Sequence, residues 1–272
     1  MLQAIDWTDV AGVIAAAGRP GASVGVALVG PQGEQFGYNA NRRYRAASTV
    51  KIPVMIEIYR QIERGERALS DEYVVNDADR AQGSGVMLHL HAGARLNLND
   101  LIYLMMSISD NTATNVLIDY AGMDAVNATM RELGMANSTL ARKMRGRPAQ
   151  DDEPENWATP DDYITVLQAI LERRAASPGS CDQMIAMLEK QTNARRISRY
   201  LPEQDGIRWG SKTGSVAGVT NDVGFITTER GTLLLSVFCE ELPDQHTGEQ
   251  VIGDISRAAM NATGIVEPLS TS

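Results

Sequence analysis

Residues 222–239 read DVGFITTERGTLLLSVFC, and this stretch decides the fold. Two runs of apolar and β-branched residues flank Glu-Arg-Gly at 229–231, which predicts two antiparallel strands joined by a hairpin turn. A third β-rich run covers residues 206–212. Near the other end of the chain, residues 23–29 and 34–38 form a second predicted hairpin. Both ends of the chain therefore supply strands, and one antiparallel sheet accommodates them all.

The middle of the chain has the periodicity of helices. Leu98, Leu101, Ile102 and Met105 follow the spacing of a single helix face. Thr159 before a proline and two acids is typical of a helix start. Helices are predicted over residues 6–17, 49–65, 124–133, 159–174, 181–190 and 248–262.

This order predicts an α/β protein with two lobes. Residues 1–46 and 196–272 form a sheet-containing α/β lobe, in which terminal helices flank the antiparallel sheet. Residues 47–195 form an all-α lobe inserted between them. We expect one structural domain with the active site between the two lobes.

Composition limits the classes of partner. The net charge is -9, so the chain lacks the basic surface that nucleic acid requires. No apolar run is long enough to span a membrane. We expect a monomer that acts on a small molecule, with no cofactor and no metal. Cys181 and Cys239 are expected to be buried free thiols, and a disulfide between them is the alternative that the sequence leaves open.

The first residues do not resemble a signal peptide, because no basic region precedes an apolar stretch. The sequence leaves two locations open. The protein either stays in the cytoplasm or is secreted or periplasmic with its signal removed.

The first chemical motif is Ser48-Thr49-Val50-Lys51, at a predicted helix start. Residues three apart on a helix share a face, so the Lys51 amine lies one turn from the Ser48 hydroxyl. A serine needs a base to become a nucleophile, and an amine serves when burial or a neighbouring cation lowers its pKa. Ser48 is therefore the predicted nucleophile and Lys51 its activating partner.

Two further motifs follow in the chain. Ser109-Asp110-Asn111 comes at the end of the helix that begins near Leu98, and Lys212-Thr213-Gly214 comes at the end of a predicted strand. In this order the three motifs resemble the signature of class A β-lactamases and penicillin-binding proteins. The resemblance covers nearly the whole chain and includes the stretch SDNTATN at 109–115.

The resemblance implies a β-lactamase/transpeptidase-like fold and a serine hydrolase, and it assigns roles in the reaction. Ser48 would attack a carbonyl, Lys51 would help deprotonate it, and Ser109 would pass a proton to the leaving nitrogen. The backbone N–H groups of Ser48 and Ser215 would form the oxyanion hole.

The resemblance also assigns the substrate contacts. Lys212-Thr213-Gly214 would bind the substrate, with Lys212 and Thr213 holding its carboxylate and Lys212 also polarising Ser109. Asn111 would bond the side-chain amide of the substrate, and Asn115 would anchor the following loop.

The match breaks at the residue that releases the acyl group. Class A enzymes carry a Glu for this step shortly after a Leu-x-Arg, and here that position falls on Met144. Glu153 is the substitute candidate, within Glu153-Pro154-Glu155-Asn156, but it lies closer to Pro160 than the family's Glu lies to the matching helix. Asp151 and Glu155 are weaker candidates.

Three hypotheses remain open at this point. The first is a β-lactamase-like hydrolase that opens β-lactam amide bonds through an acyl-enzyme at Ser48, with weak deacylation. The second is a related serine esterase or D-alanyl-D-alanine peptidase. The third is a penicillin-binding sensor or sink that stays acylated.

Overall fold

The computed structural model describes residues 5–266. Its nine strands are β1 (Ser23–Val29), β2 (Gln35–Tyr38), β3 (Tyr44–Arg45), β4 (Glu72–Val74), β5 (Arg95–Asn97), β6 (Trp157–Ala158), β7 (Arg208–Val216), β8 (Val219–Thr228) and β9 (Gly231–Glu240). Its eight α-helices are α1 (Thr8–Ala17), α2 (Lys51–Glu63), α3 (Leu98–Ser107), α4 (Asn111–Ala121), α5 (Met123–Glu132), α6 (Pro160–Leu171), α7 (Pro178–Leu188) and α8 (Gln245–Thr263).

The main sheet has five antiparallel strands in the order β2-β1-β9-β8-β7. Both predicted hairpins are present, and β8 and β9 turn at residues 229–230 as the sequence indicated. The strand predicted to end at Lys212 continues to Val216. This corrects the prediction, because Lys212-Thr213-Gly214 lies within β7, at the edge of the sheet, and not at its end.

The sheet separates two apolar cores. On one face, α1 and α8 pack on residues such as Leu235 and Val237. On the other face, α6 packs on β1 and β9, where the ring centroids of Tyr163 and Phe238 lie 5.6 Å apart. This second core continues into the central helices. Edge strand β7 therefore lies beside the helical residues, which is where a site between the lobes can form.

Local signals set the helix starts. The side chain of Thr159 accepts the backbone N–H of Asp162 at 3.2 Å, and Pro160 is the first residue of α6, as the sequence predicted. The helix predicted from residue 49 begins instead as a 3-10 turn over Ala47–Val50, before α2 starts at Lys51. This turn carries Ser48 into the junction between helices and sheet.

Cys181 and Cys239 are buried free thiols, which confirms the expectation from the sequence. Within residues 5–266, every helix is too short or too polar to cross a membrane.

Candidate active site

Ser48 lies in the 3-10 turn that precedes α2, with its side chain nearly buried. Ala47 before it adopts a left-handed backbone with φ of 46°. The turn lies directly against β7: a Cβ on Gly214 would come within 3.0 Å of the Ala46 carbonyl oxygen and 3.3 Å of the Ala47 Cβ. Glycine at this position of β7 avoids these tight contacts, and the backbone of β7 lies beside the Ser48 turn.

Lys51 is fully buried one turn after Ser48. Its ammonium nitrogen donates to the Ser109 carbonyl at 2.7 Å, to Ser109 Oγ at 3.0 Å and to Asn111 Oδ1 at 3.0 Å. Burial and the nearby charge of Lys212 lower the pKa of Lys51 well below its ordinary value, against the opposing effect of Asp110. The lowered pKa favours the neutral amine, which is the form that can accept a proton.

Ser109 connects the two buried lysines. Its Oγ accepts from Lys51 at 3.0 Å and from Lys212 at 3.1 Å. The residue adopts φ of 60°, a strained conformation for a side chain other than glycine, and such strain clusters at functional sites. It is held by Asp110, which caps α4 and also accepts the backbone N–H groups of Val86 and Met87 at 2.7 and 2.8 Å. Asp110 is thus structural.

Lys212 projects from β7 toward Ser109 and is fully buried. Its ammonium nitrogen also donates to the Thr213 carbonyl at 2.9 Å. Burial lowers the pKa of Lys212 to about 7; Asp222 opposes this shift and Arg196 adds to it. The site thus holds two buried lysines in contact with one serine, and both have lowered pKa values.

Sequence reasoning missed Arg196. Its guanidinium is buried behind β7, where Nη1 donates to the Gly214 carbonyl at 3.0 Å and Nη2 to Ser215 Oγ at 2.5 Å. Glu249 on α8 accepts at 3.4 Å. Arg196 therefore fixes the segment that follows Lys212. No local pattern marks it, because all of these partners lie far away along the chain.

Arg196→Ala should lower the free energy of unfolding by about 3–5 kcal/mol, since it removes the buried cation beside Asp222 and Glu249 and leaves the Gly214 and Asn221 carbonyls without their donor. Urea denaturation measures the change. The control is Arg195→Ala, which removes an exposed guanidinium 3.3 Å from the same Glu249 and should cost under about 1 kcal/mol. Equal losses in the two variants would contradict the assigned role of Arg196.

Met144 lies in the cleft wall, 8% exposed. The side chain of Asn115 bonds both the N–H and the carbonyl of Met144. The N–H donates to Asn115 Oδ1 at 2.8 Å, and the carbonyl accepts from Asn115 Nδ2 at 3.0 Å. This pairing is the loop anchor that the resemblance implied for Asn115. It fixes the backbone of Met144, the residue at which the sequence resemblance predicts the Glu of class A enzymes.

The structure does not bring Glu153 into the cleft. Its carboxylate is held by Arg145 and Arg147 and by the backbone N–H of Gln150, and these contacts lower the pKa of Glu153 to about 2. A carboxylate with so low a pKa is a weak base. The expectation that Glu153 replaces the missing Glu stays a prediction, and this pairing, which the sequence spacing alone did not reveal, argues against it.

Glu155 is the only carboxylate among the described residues that line the cleft. Arg142 donates to both of its oxygens, at 3.0 and 3.1 Å, and the backbone N–H groups of Asn156 and Ala149 donate at 2.8 and 3.1 Å. These bonds lower the pKa of Glu155 against the effect of burial. Glu155 thus secures the loop and has little remaining capacity to take a proton from water.

The cleft above Ser48 has a volume of about 80 Å³. Its wall includes Ser48, Asn111 and Ser215 from the predicted site, and Lys51 and Lys212 lie buried behind it. Asn111 donates its amide N–H to the Gln82 carbonyl at 2.8 Å, which ties it to the neighbouring loop. The predicted site residues except Glu153 thus meet at one place.

The rate of acylation should depend on pH through both lysines. Lys51 must be neutral to accept a proton, so the rate should rise as pH rises through its lowered pKa. Lys212 must be charged to attract a carboxylate, so the rate should fall as pH rises above about 7. Second-order acylation rate constants measured over a pH series report both the rise set by Lys51 and the fall set by Lys212, which is the alkaline limb of the profile. Lys212→Arg should remove the alkaline limb, and a wild-type rate that is flat around pH 7 would contradict this account.

A serine one turn before a buried lysine, at the junction of an antiparallel sheet and a helical lobe, is an arrangement typical of acyl-transferring serine hydrolases. The family model described as the β-lactamase enzyme family matches residues 8–263. The chain is 63% identical to a β-lactamase of known structure from Sphaerobacter thermophilus, covering 97% of this chain and 100% of that one, with a TM-score of 0.96.

More distant relatives include the β-lactamase CTX-M-97 of Escherichia coli, 28% identical over 83% of this chain and 78% of that protein. The β-lactamase BRO-1 of Moraxella catarrhalis is 25% identical over 76% of this chain and 67% of that protein. The chain belongs to the β-lactamase enzyme family, and its fold is that of the class A enzymes.

Proposed function

We propose that this chain opens β-lactam rings by forming an ester on Ser48 and that it releases the acyl group slowly. The observation that carries the proposal is the continuous contact from Lys51 through Ser109 to Lys212, next to Ser48. In this path Lys51 supplies a base, Ser109 a proton relay and Lys212 a cation for acylation. The only carboxylate in the cleft wall of the described residues, Glu155, is occupied by Arg142.

Acylation proceeds in two proton movements. The hydroxyl oxygen of Ser48 attacks the lactam carbonyl carbon while its proton passes to neutral Lys51. The backbone N–H groups of Ser48 and Ser215 receive the oxyanion. As the carbon–nitrogen bond breaks, the Ser109 hydroxyl gives a proton to the lactam nitrogen and is reprotonated by Lys51. One covalent ester remains, and nothing leaves, because the ring nitrogen stays attached.

Substrate binding uses the groups around this path. Thr213, with the charge of Lys212 behind it, receives the substrate carboxylate, and Asn111 bonds the amide of the acyl side chain. Gly214 keeps β7 close enough to Ser48 for Ser215 to face the cleft. All of these side chains come from one chain, so the proposed reaction requires only a monomer, and neither a cofactor nor a metal takes part.

Release of the acyl group is the slow step of this proposal. Hydrolysis needs a base that takes a proton from water beside the ester. Met144 stands at the family's position for that base, and Glu153 and Glu155 are both held by arginines. The same observation favours a second candidate function, a penicillin-binding protein that remains acylated.

Burst kinetics with a chromogenic cephalosporin separate these functions. The proposal expects one equivalent of opened ring per protein in a fast phase, followed by a slower steady rate. A burst with no later turnover would support the second candidate. A linear time course without a burst, at saturating substrate, would contradict slow release, and no ring opening would contradict the proposed substrate class.

A further inference from the structure

One wall of the cleft carries two arginines that the proposed reaction does not use. Arg145 and Arg147 flank Gly146, and their side chains are 45% and 40% exposed. Both bind the same carboxylate, Glu153, with Arg147 donating at 2.6 and 2.8 Å and Arg145 to Oε1. Two cations that line the cleft share one anion, and the neighbouring Asp151 and Asp152 do not line it, so the cleft side of this wall has a surplus positive charge.

The other charges of the cleft wall are already balanced. Arg142 is paired bidentately with buried Glu155. Arg45 is paired with Glu240 at 3.1 Å and with Glu241 at 2.5 Å, and Arg42 is a second cation 4.0 Å from Glu240, so two cations meet two anions. The surplus therefore belongs to the segment 145–147.

This segment lies at the end of the cleft that receives the acyl side chain. Gly146 crosses Gly83 in direct contact: a Cβ on Gly146 would be 2.7 Å from the Gln82 carbonyl oxygen, and one on Gly83 would be 2.9 Å from Gly146 Cα. A Cβ on Gly83 would also be 2.6 Å from the amide nitrogen of Asn111. The crossing places the Gly146 backbone, between the two arginines, against Gln82 and Gly83, and both of these residues contact Asn111, the proposed contact for the side-chain amide.

The position of the segment is also fixed. Met144 is held by Asn115 on one side of it, and both glycines adopt positive φ, 104° at Gly83 and 68° at Gly146. A fixed backbone limits where the guanidinium groups can reach. Guanidinium groups match carboxylates in geometry as well as charge.

We propose that Arg145 and Arg147 make this site select β-lactams whose acyl side chain carries its own carboxylate. The inference rests on the proposed function, because it assumes that Asn111 receives the side-chain amide. The ring carboxylate goes toward Lys212 and Thr213, and the second carboxylate binds the surplus charge at 145–147. Attraction between the second carboxylate and the arginines at 145–147 raises the rate at which such a substrate binds.

The test compares benzylpenicillin with its α-carboxy derivative, which differs from it only by one carboxylate on the acyl side chain. The measured quantity is the ratio of their second-order acylation rate constants at low salt. Arg145→Gln should lower this ratio by about two- to fivefold, the effect of a solvent-exposed ion pair. The benzylpenicillin rate should stay near the wild-type rate, and added salt should shrink the ratio of the wild type.

Two further variants sharpen the test. Lys143→Gln removes a neighbouring cation that is paired with Asp119 and does not line the cleft, so it should leave the ratio unchanged. Glu153→Gln removes the shared anion, so it should raise the ratio. A ratio equal in wild type, Arg145→Gln and Glu153→Gln would overturn the inference while leaving the proposed function in place. Failure of both penicillins to acylate would overturn the proposed function and the inference with it.

Discussion

Ser48→Ala should eliminate covalent labelling by a penicillin. The variant keeps Lys51, Ser109 and Lys212 in contact but removes the oxygen that forms the ester. Loss of a nucleophilic serine in a comparable hydrolase lowers the rate on the order of 10⁶-fold. Gel fluorescence after incubation with a fluorescent penicillin measures the effect, and no band is expected.

Ser84→Ala is the matched control for that experiment. Ser84 lines the same cleft, and its backbone carbonyl accepts the N–H of Asn111, a bond that the substitution leaves in place. The control variant should label as the wild type does. Labelling that survives in Ser48→Ala would remove Ser48 as the nucleophile.

Met144→Glu should speed release of the acyl group by roughly a hundredfold, the lower end of what a positioned general base contributes. The backbone of residue 144 is fixed by Asn115, and its side chain lies in the cleft wall with Ser48. A carboxylate there is presented toward the ester from a rigid position. The measurement is the first-order loss of the adduct after excess penicillin has been removed.

Met144→Gln separates basicity from shape. Glutamine has the size of glutamate and can hold a water, but it cannot take a proton from it. The adduct of Met144→Gln should therefore decay at the wild-type rate. If Met144→Glu and Met144→Gln release the acyl group equally fast, the missing base is not what limits the wild type.

The parts of the site that sequence predicted are those set by local patterns. Ser48 lies in the 3-10 turn directly before Lys51 at the start of α2, and Lys212 lies on the edge strand that its β-rich surroundings indicated. The cap at Thr159 could also be predicted, because a cap depends on neighbouring residues.

The parts that sequence did not predict depend on contacts between distant residues. Arg196 acts through Gly214, Ser215 and Glu249, and only the folded chain shows that their groups converge. β7 continues past Lys212 because residues up to Val216 pair with β8, a partner that the local pattern does not indicate. Glu153 looked like a displaced base because its motif was familiar, but Arg145 and Arg147 bind it.

The central claim is that an ester forms on Ser48 and persists. Intact-mass spectrometry of the protein, followed over time after benzylpenicillin is added, tests this claim most directly. The account predicts that the mass rises by one whole penicillin molecule soon after mixing and that the heavier species outlasts the time needed to form it. Peptide mapping should place the added mass on the peptide that contains Ser48. A protein that keeps its unmodified mass throughout would contradict the account, whether the penicillin is hydrolysed or remains intact.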